Sequence, residues 1–147
     1  MSIFSTLEIS GSALTAERQR AEVVAANMAN AETTHTPGGG PYRRKEVVFA
    51  SSGNTPFRMM LAGFHEGIGH PMPAVRVQRV IDDATPPLKR YEPGHPDADS
   101  DGFVSYPAIN PVQEMVDLMG AVRSYQLNAS AVAASKQMIQ QAMELLK

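Results

Sequence analysis

The sequence predicts a mainly α chain: two long terminal helices, paired as an antiparallel coiled-coil-like hairpin, with a small β region of short antiparallel strands between them. Three observations predict it. Ten of the eleven Pro and nine of the eleven Gly fall between Ala31 and Asn110, and because both residues disfavour helix interiors the flanks are left free to be helical. Apolar residues recur along both flanks at alternating spacings of three and four, the periodicity of helices wound together. In the middle, Val75-Arg76-Val77-Gln78-Arg79-Val80 alternates strictly, as a half-buried strand does. The chain thus divides into an N-terminal helix (residues 1–30), a Gly/Pro-rich loop and β region (31–110) and a C-terminal helix (111–147).

The first flank opens with Ser5-Thr6-Leu7-Glu8, a capping box in which Ser5 caps the orphan N–H groups and Glu8 reaches back, with Phe4 and Ile9 at the staple positions. Phe4, Leu7, Gly11, Leu14, Arg18, Ala21, Ala25 and Met28 then form the stripe, with Arg18 its one charge. A helix from Thr6 to Asn30 would be roughly 38 Å long at 1.5 Å per residue. One face of an ordinary helical core is the competing reading of this stripe.

The second flank carries the stronger start signal. Asn110 stands at the N-cap, Pro111 at the first helical position and Gln113 where a capping box places it. Met115, Leu118, Val122, Tyr125, Ala129, Val132, Lys136, Ile139, Met143 and Leu146 keep the three-four alternation, and Gly120 lies off the stripe. Helix from Pro111 to Lys147 would reach roughly 55 Å. The 80 or so intervening residues cannot both cover two such helices and build their own core, so the stripes are expected to pair with each other and to offer a surplus to other chains. The expected assembly residues are Leu7, Leu14, Ala21, Ala25 and Met28 on the first helix, and Met115, Leu118, Val122, Tyr125, Ala129, Val132, Ile139, Met143 and Leu146 on the second. A self-contained two-helix hairpin with a β cap is the alternative shape. In the middle, Val47–Phe49, Phe57–Leu61, Leu88–Tyr91 and Phe103–Tyr106 join Val75–Val80 as strand candidates for a small antiparallel sheet, and Thr33–Pro41, with three consecutive Gly, is a loop.

Composition narrows the function classes. At 147 residues the chain fits one compact domain, or a small domain with long elements attached. Its 43% hydrophobic and 19% charged residues are too apolar for disorder, while 6% aromatic content without Trp requires an aliphatic core. A net charge of −2 gives no footprint for nucleic acid. Zero Cys excludes disulfides and thiolate zinc sites. The start lacks a basic, apolar secretory signal, and no apolar run is long enough for membrane insertion.

Motifs for chemistry are sparse. His35, His65, His70 and His95 form no H-E-x-x-H arrangement and read as surface histidines, and G-x-S-x-G, P-loop and dinucleotide fingerprints are missing. The expectation is a non-enzyme without cofactor or metal. The rival is a calcium-modulated periplasmic binding module on Asp97, Asp99 and Asp101, whose spacing before Gly102 matches half an EF-hand loop. Ala108 stands where that loop requires a bidentate Glu, and an Asp/Gly turn into the next strand is the favoured reading. The basic cluster Arg43-Arg44-Lys45 reads as a solvated turn or as a salt-bridge partner for a neighbouring chain.

Several of these segments together resemble the bacterial flagellar axial proteins, most closely those of the proximal basal-body rod. The likeness rests on Ser12-Ala13-Leu14-Thr15-Ala16 followed by Ala25-Ala26-Asn27-Met28-Ala29-Asn30-Ala31-Glu32-Thr33, and on Pro41-Tyr42-Arg43-Arg44-Lys45. Tyr91 to Ala98, Gly102-Phe103-Val104, Glu114-Met115-Val116-Asp117 and Arg123-Ser124-Tyr125-Gln126 continue it in the same order. Leu127 and Ala108-Ile109-Asn110 depart from the commoner residues. The resemblance implies a structural subunit of the flagellum, exported unfolded by the flagellar type III apparatus without a cleavable signal. It implies helical assembly with other rod subunits and with copies of itself, next to the basal-body ring proteins, in the periplasmic part of the shaft that transmits motor torque. It also implies that paired terminal helices form the inner layer.

Overall fold

The computed structural model of the chain describes residues 3–52 and 74–145. In order it contains α1 (Ile3–Ala29), β1 (Lys45–Ser52), β2 (Ala74–Asp82), β3 (Leu88–Tyr91), β4 (Phe103–Tyr106) and α2 (Pro111–Glu144). The expected strand Phe57–Leu61 and the residue Leu146 lie outside the described residues.

The first helix begins at Ile3, ahead of the expected Thr6, so Ser5 sits inside the first turn and is buried instead of capping it. No Pro or Gly precedes Ser5 to stop the helix, and propagation is favourable once a nucleus exists. The other end closes at Asn30, whose N–H reaches the Ala26 and Asn27 carbonyls at 3.1 and 3.2 Å and whose side-chain Nδ2 donates to Ala26 O at 2.9 Å. At the start of α2 the Asn110 cap forms as the sequence predicts: Oδ1 accepts from the Val112 N–H at 3.0 Å and the Asn110 carbonyl from the Glu114 N–H at 3.1 Å. The helix then runs through Gly120 without a break.

The strands form two two-stranded sheets, β1 with β2 and β3 with β4, where one small sheet was expected. The reason lies in Asp83-Ala84-Thr85-Pro86-Pro87. Asp83 Oδ1 accepts from both the N–H and hydroxyl of Thr85, at 2.9 and 2.7 Å, turning the chain. Two consecutive prolines then offer no N–H to continue a ladder.

The chain packs as two compact units. In the one comprising residues 1–19, 49–78 and 122–147, Ser12 joins α1 to β2: its hydroxyl accepts from the Val75 N–H at 3.0 Å and donates to Ile9 O at 2.7 Å. In the other, residues 20–48 and 79–121, β3 and β4 pair antiparallel with Leu88 opposite Tyr106 and Tyr91 opposite Phe103. Val104 is fully buried there, a contribution of about 1.5–3 kcal/mol. Tyr91 and Phe103 stack edge to face at 5.4 Å, Arg90 lies 4.6 Å over the Tyr106 ring, and the Tyr106 hydroxyl donates to Glu92 at 2.9 Å. Gly102 makes the hairpin possible. It adopts φ +80°, and a Cβ there would lie 2.9 Å from the Tyr91 ring and 3.2 Å from Pro93 Cβ.

The buried positions of the helices correct the expected stripe. In α1 they are Ser5, Ser10, Ala16, Val24 and Asn27, and in α2 Glu114, Ala121 and Ser135, seven and then fourteen residues apart. Of the residues named from periodicity, Leu7, Leu14, Ala21, Met28, Leu118, Val132 and Ile139 are half-buried. Ala25, Met115, Val122, Tyr125, Ala129 and Met143 are exposed. Small and polar side chains occupy most of the buried positions, and many of the large apolar ones of α2 are exposed.

Candidate assembly site

A polar constellation lies in the unit formed by residues 20–48 and 79–121. Asn27, near the end of α1, is completely buried and uses its whole hydrogen-bonding capacity. Its Nδ2 donates to Lys45 O at 2.9 Å and to Glu114 Oε2 at 3.0 Å. Its Oδ1 accepts from the Lys45 N–H at 2.9 Å and the Tyr42 hydroxyl at 3.2 Å. An amide has two donors and two acceptor sites, so nothing of Asn27 is left unsatisfied.

Glu114, in the first turn of α2, is only 1% exposed, and both its oxygens are taken. Oε2 accepts from Asn27, and Oε1 from Arg44 Nε at 2.6 Å. Arg44 also pairs with Glu46 through Nη1 and lies 3.5 Å from Asp117 through Nη2, while Arg20 approaches Asp117 at 3.9 Å. A buried charge is tolerated only when paired and hydrogen-bonded, as here. Burial alone would loosen the Arg44 proton. The hydrogen bond and charge of Glu114, with Glu46 behind them, outweigh that and hold the guanidinium above its ordinary pKa. Burial, with Asp82 and Glu114 nearby, raises the Tyr42 phenol.

Loop closure delivers Tyr42 and Arg44 to this place. Thr36 N–H to Gly40 O, Gly39 N–H to Thr36 O and Tyr42 N–H to Thr33 O close the Thr33–Pro41 loop, with Gly39 and Gly40 at φ +84° and +73°. The basic cluster is therefore divided. Arg44 is an internal ion-pair partner, neither a solvated turn nor a contact held for another chain, while Arg43 and Lys45 are exposed, with Lys45 5.9 Å over the Tyr42 ring.

The half calcium loop is a turn. Asp99 Oδ1 accepts from the Asp101 and Phe103 N–H groups at 3.0 and 2.8 Å, and Asp97 Oδ2 accepts from Thr34 Oγ1 at 2.6 Å. Among the described residues no three His, Asp or Glu side chains come together as a cation ligand set. Likewise, among them no helix is long and apolar enough to cross a membrane.

Sequence reasoning missed the Asn27–Glu114–Arg44 node. Asn27 and Glu114 are 87 residues apart and Arg44 and Glu114 70 apart, beyond the reach of periodicity. The available signal was a Glu in the first turn of the second helix and an Asn inside an alanine-rich stretch of the first.

The other constituent of the site is a face of α2. Val112, Met115, Val116, Met119 and Val122 follow at three-four spacing and are all exposed, Val112 by 72% and Met119 by 66%. A soluble surface rarely leaves so many large apolar side chains in one row without an association role.

The polar node thus stands beside an outward apolar row, and comparison with known proteins gives the class of the chain. Residues 7–34 match the flagella basal body rod protein family and residues 100–145 the C-terminal family of the flagellar basal body rod FlgEFG proteins. Asn27 lies in the first match and Glu114 in the second, so the node links the two. At full length, the flagellar basal-body rod protein FlgC of Bacillus subtilis is 38% identical over 151 residues, covering 100% of both chains. That of Borreliella burgdorferi is 37% identical over 154 residues (100% of this chain, 99% of the relative), and that of Salmonella typhimurium 37% over 145 (99% and 98%). The chain belongs to the FlgC family of flagellar basal-body rod proteins.

Proposed function

We propose that the chain is a structural subunit of the flagellar basal-body rod that works by polymerising, helically, with other rod subunits and its own copies into the shaft that transmits torque for swimming. The observation that carries this reading is near-full-length identity of 37–38% to rod proteins in a chain whose α2 holds a row of large apolar side chains outward. Each such side chain, fully buried against a neighbour, contributes about 1.5–3 kcal/mol, so a handful offset the entropy of fixing a subunit in place.

In this reading the terminal helices run antiparallel and form the axial layer, with residues 31–110 as a distinct middle region. The order of contacts supports it: Asn27 meets Glu114, whereas Arg20, two turns earlier in α1, meets Asp117, further along α2. The subunit acts without catalysis or cofactor, reaches the periplasmic rod through the flagellar type III apparatus, and comes next to basal-body ring proteins there.

The test is complementation of a strain lacking the gene. Leu118→Asp and Val132→Asp, at half-buried seam positions, should abolish swimming in soft agar and leave basal bodies without a complete rod, with the protein still made. Gln78→Glu, at an exposed strand position, should leave swimming intact. The opposite pattern would move the assembly surface to the β region and overturn the reading.

A further inference from the structure

We infer that the Asn27–Glu114–Arg44 node is a register lock: it fixes which turn of α2 lies beside the end of α1, and so decides which apolar side chains α2 presents to a partner. The second half of this statement rests on the assembly reading above, and the first does not.

The inference begins with what the surrounding helix faces lack. Beside the node, the inward positions include Ala21 and Val24 on α1 and Ala121 on α2. These side chains are small and similar in shape, and packing among them distinguishes poorly between neighbouring registers. Sliding α2 by seven residues places Ala121 where Glu114 was.

The node does distinguish. In the observed register Asn27 satisfies all four of its hydrogen bonds, and both Glu114 oxygens are taken by Asn27 and Arg44. A slide by seven residues leaves the buried Asn27 amide and the half-buried Arg44 guanidinium, which then keeps Glu46, facing Ala121, and a buried polar group without its partner costs more than a shifted alanine. Specification of register by a buried polar group is known from coiled coils, where it comes with a cost in stability. The two α2 residues that follow Glu114, Met115 and Val116, are exposed apolar side chains in the outward row, so a slip in register displaces that row.

The lock makes a prediction that a merely stabilising cluster does not. Replacing all three residues by apolar ones of similar volume should preserve stability and lose uniqueness. The chain has no Cys, so spin labels can be placed cleanly at two exposed positions of the same unit, Ala26→Cys in α1 and Gln113→Cys in α2. Electron–electron distance measurements on the wild-type background should give one narrow distribution. In the triple variant Asn27→Leu, Arg44→Met, Glu114→Leu, the melting temperature should be no lower than that of wild type. Its distribution should broaden or gain a second component, as expected for a slip of about two helical turns, ~10.5 Å along the axis, and the variant should fail to restore swimming. Glu114→Gln, which keeps the shape and loses the charge, serves as a second variant and should gain the same extra component. A wild-type-like single distribution in either variant overturns the lock, and so does a triple variant whose melting temperature collapses, since the node is then structural only. If the unaltered gene fails to restore swimming, the rod reading falls, and the label distances still judge the lock.

Discussion

Asn27, in the last turn of α1, and Asn30, just beyond its end, share the same chemistry, yet their removal should have very different consequences. Asn27→Ala takes four hydrogen bonds from a side chain with no exposure and leaves Glu114 Oε2, the Lys45 N–H and carbonyl and the Tyr42 hydroxyl without that partner. A buried polar group left unsatisfied costs about 1–3 kcal/mol. Counting the Glu114 oxygen and one Lys45 backbone group as orphaned, and water as rescuing the rest, gives roughly 3–5 kcal/mol, a large part of the 5–15 kcal/mol typical of a domain. Asn30→Ala removes an exposed bond to Ala26 O and the acceptor of Thr33 Oγ1, which water replaces, at about 0.5 kcal/mol. In urea unfolding followed by circular dichroism, with a slope of about 1–3 kcal/mol/M, Asn27→Ala should lower the midpoint by about 2 M and Asn30→Ala by about 0.3 M. Equal shifts for the two variants would refute the claim that the node, and not the helix cap, holds this unit together.

Other predictions follow from glycine geometry and from titration. Gly102→Ala combines φ +80° with a Cβ 2.9 Å from the Tyr91 ring and should cost about 2 kcal/mol or more, read as loss of the β3–β4 cross-strand contacts by NMR. Gly39→Ala, at φ +84° with open space around it, should cost only the conformational part, about 1 kcal/mol. Tyr42 has a folded pKa raised by burial and by Asp82 and Glu114. Its contribution is therefore complete below the ordinary phenol value of about 10 and is lost as pH rises through the folded value. The stability difference between wild type and Tyr42→Phe should be constant near neutrality and shrink above about pH 10; a difference that grows with alkalinity would contradict the assignment.

Much of the fold was written in local signals. Asn110-Pro111 set the start of α2 because an amide cap and a proline at the first helical position act within one turn. The boundaries of β3 and β4 are those the sequence predicts because Pro and Gly bracket them. What was illegible was burial. Periodicity looks for large apolar residues, and here Asn27, Glu114, Ala121 and Ser135 are inside while Met115, Met119 and Val122 are outside. A reading keyed to hydrophobicity therefore names exposed and half-buried residues alike and misses the small and polar side chains that are buried. Arg44 illustrates the same limit: three adjacent cations look alike in sequence, and only a carboxylate 70 residues away separates one of them from the others.

The central claim is that the outward row of α2 serves assembly and not folding, and Met115→Asp tests it most directly. Met115 is 54% exposed near the N-terminus of the helix, where a carboxylate is electrostatically favourable, so the free chain should unfold within about 0.5 kcal/mol of wild type. Expressed in a strain lacking the gene, it should give normal protein levels, no swimming in soft agar and basal bodies without a complete rod. Wild-type swimming by Met115→Asp would contradict the account.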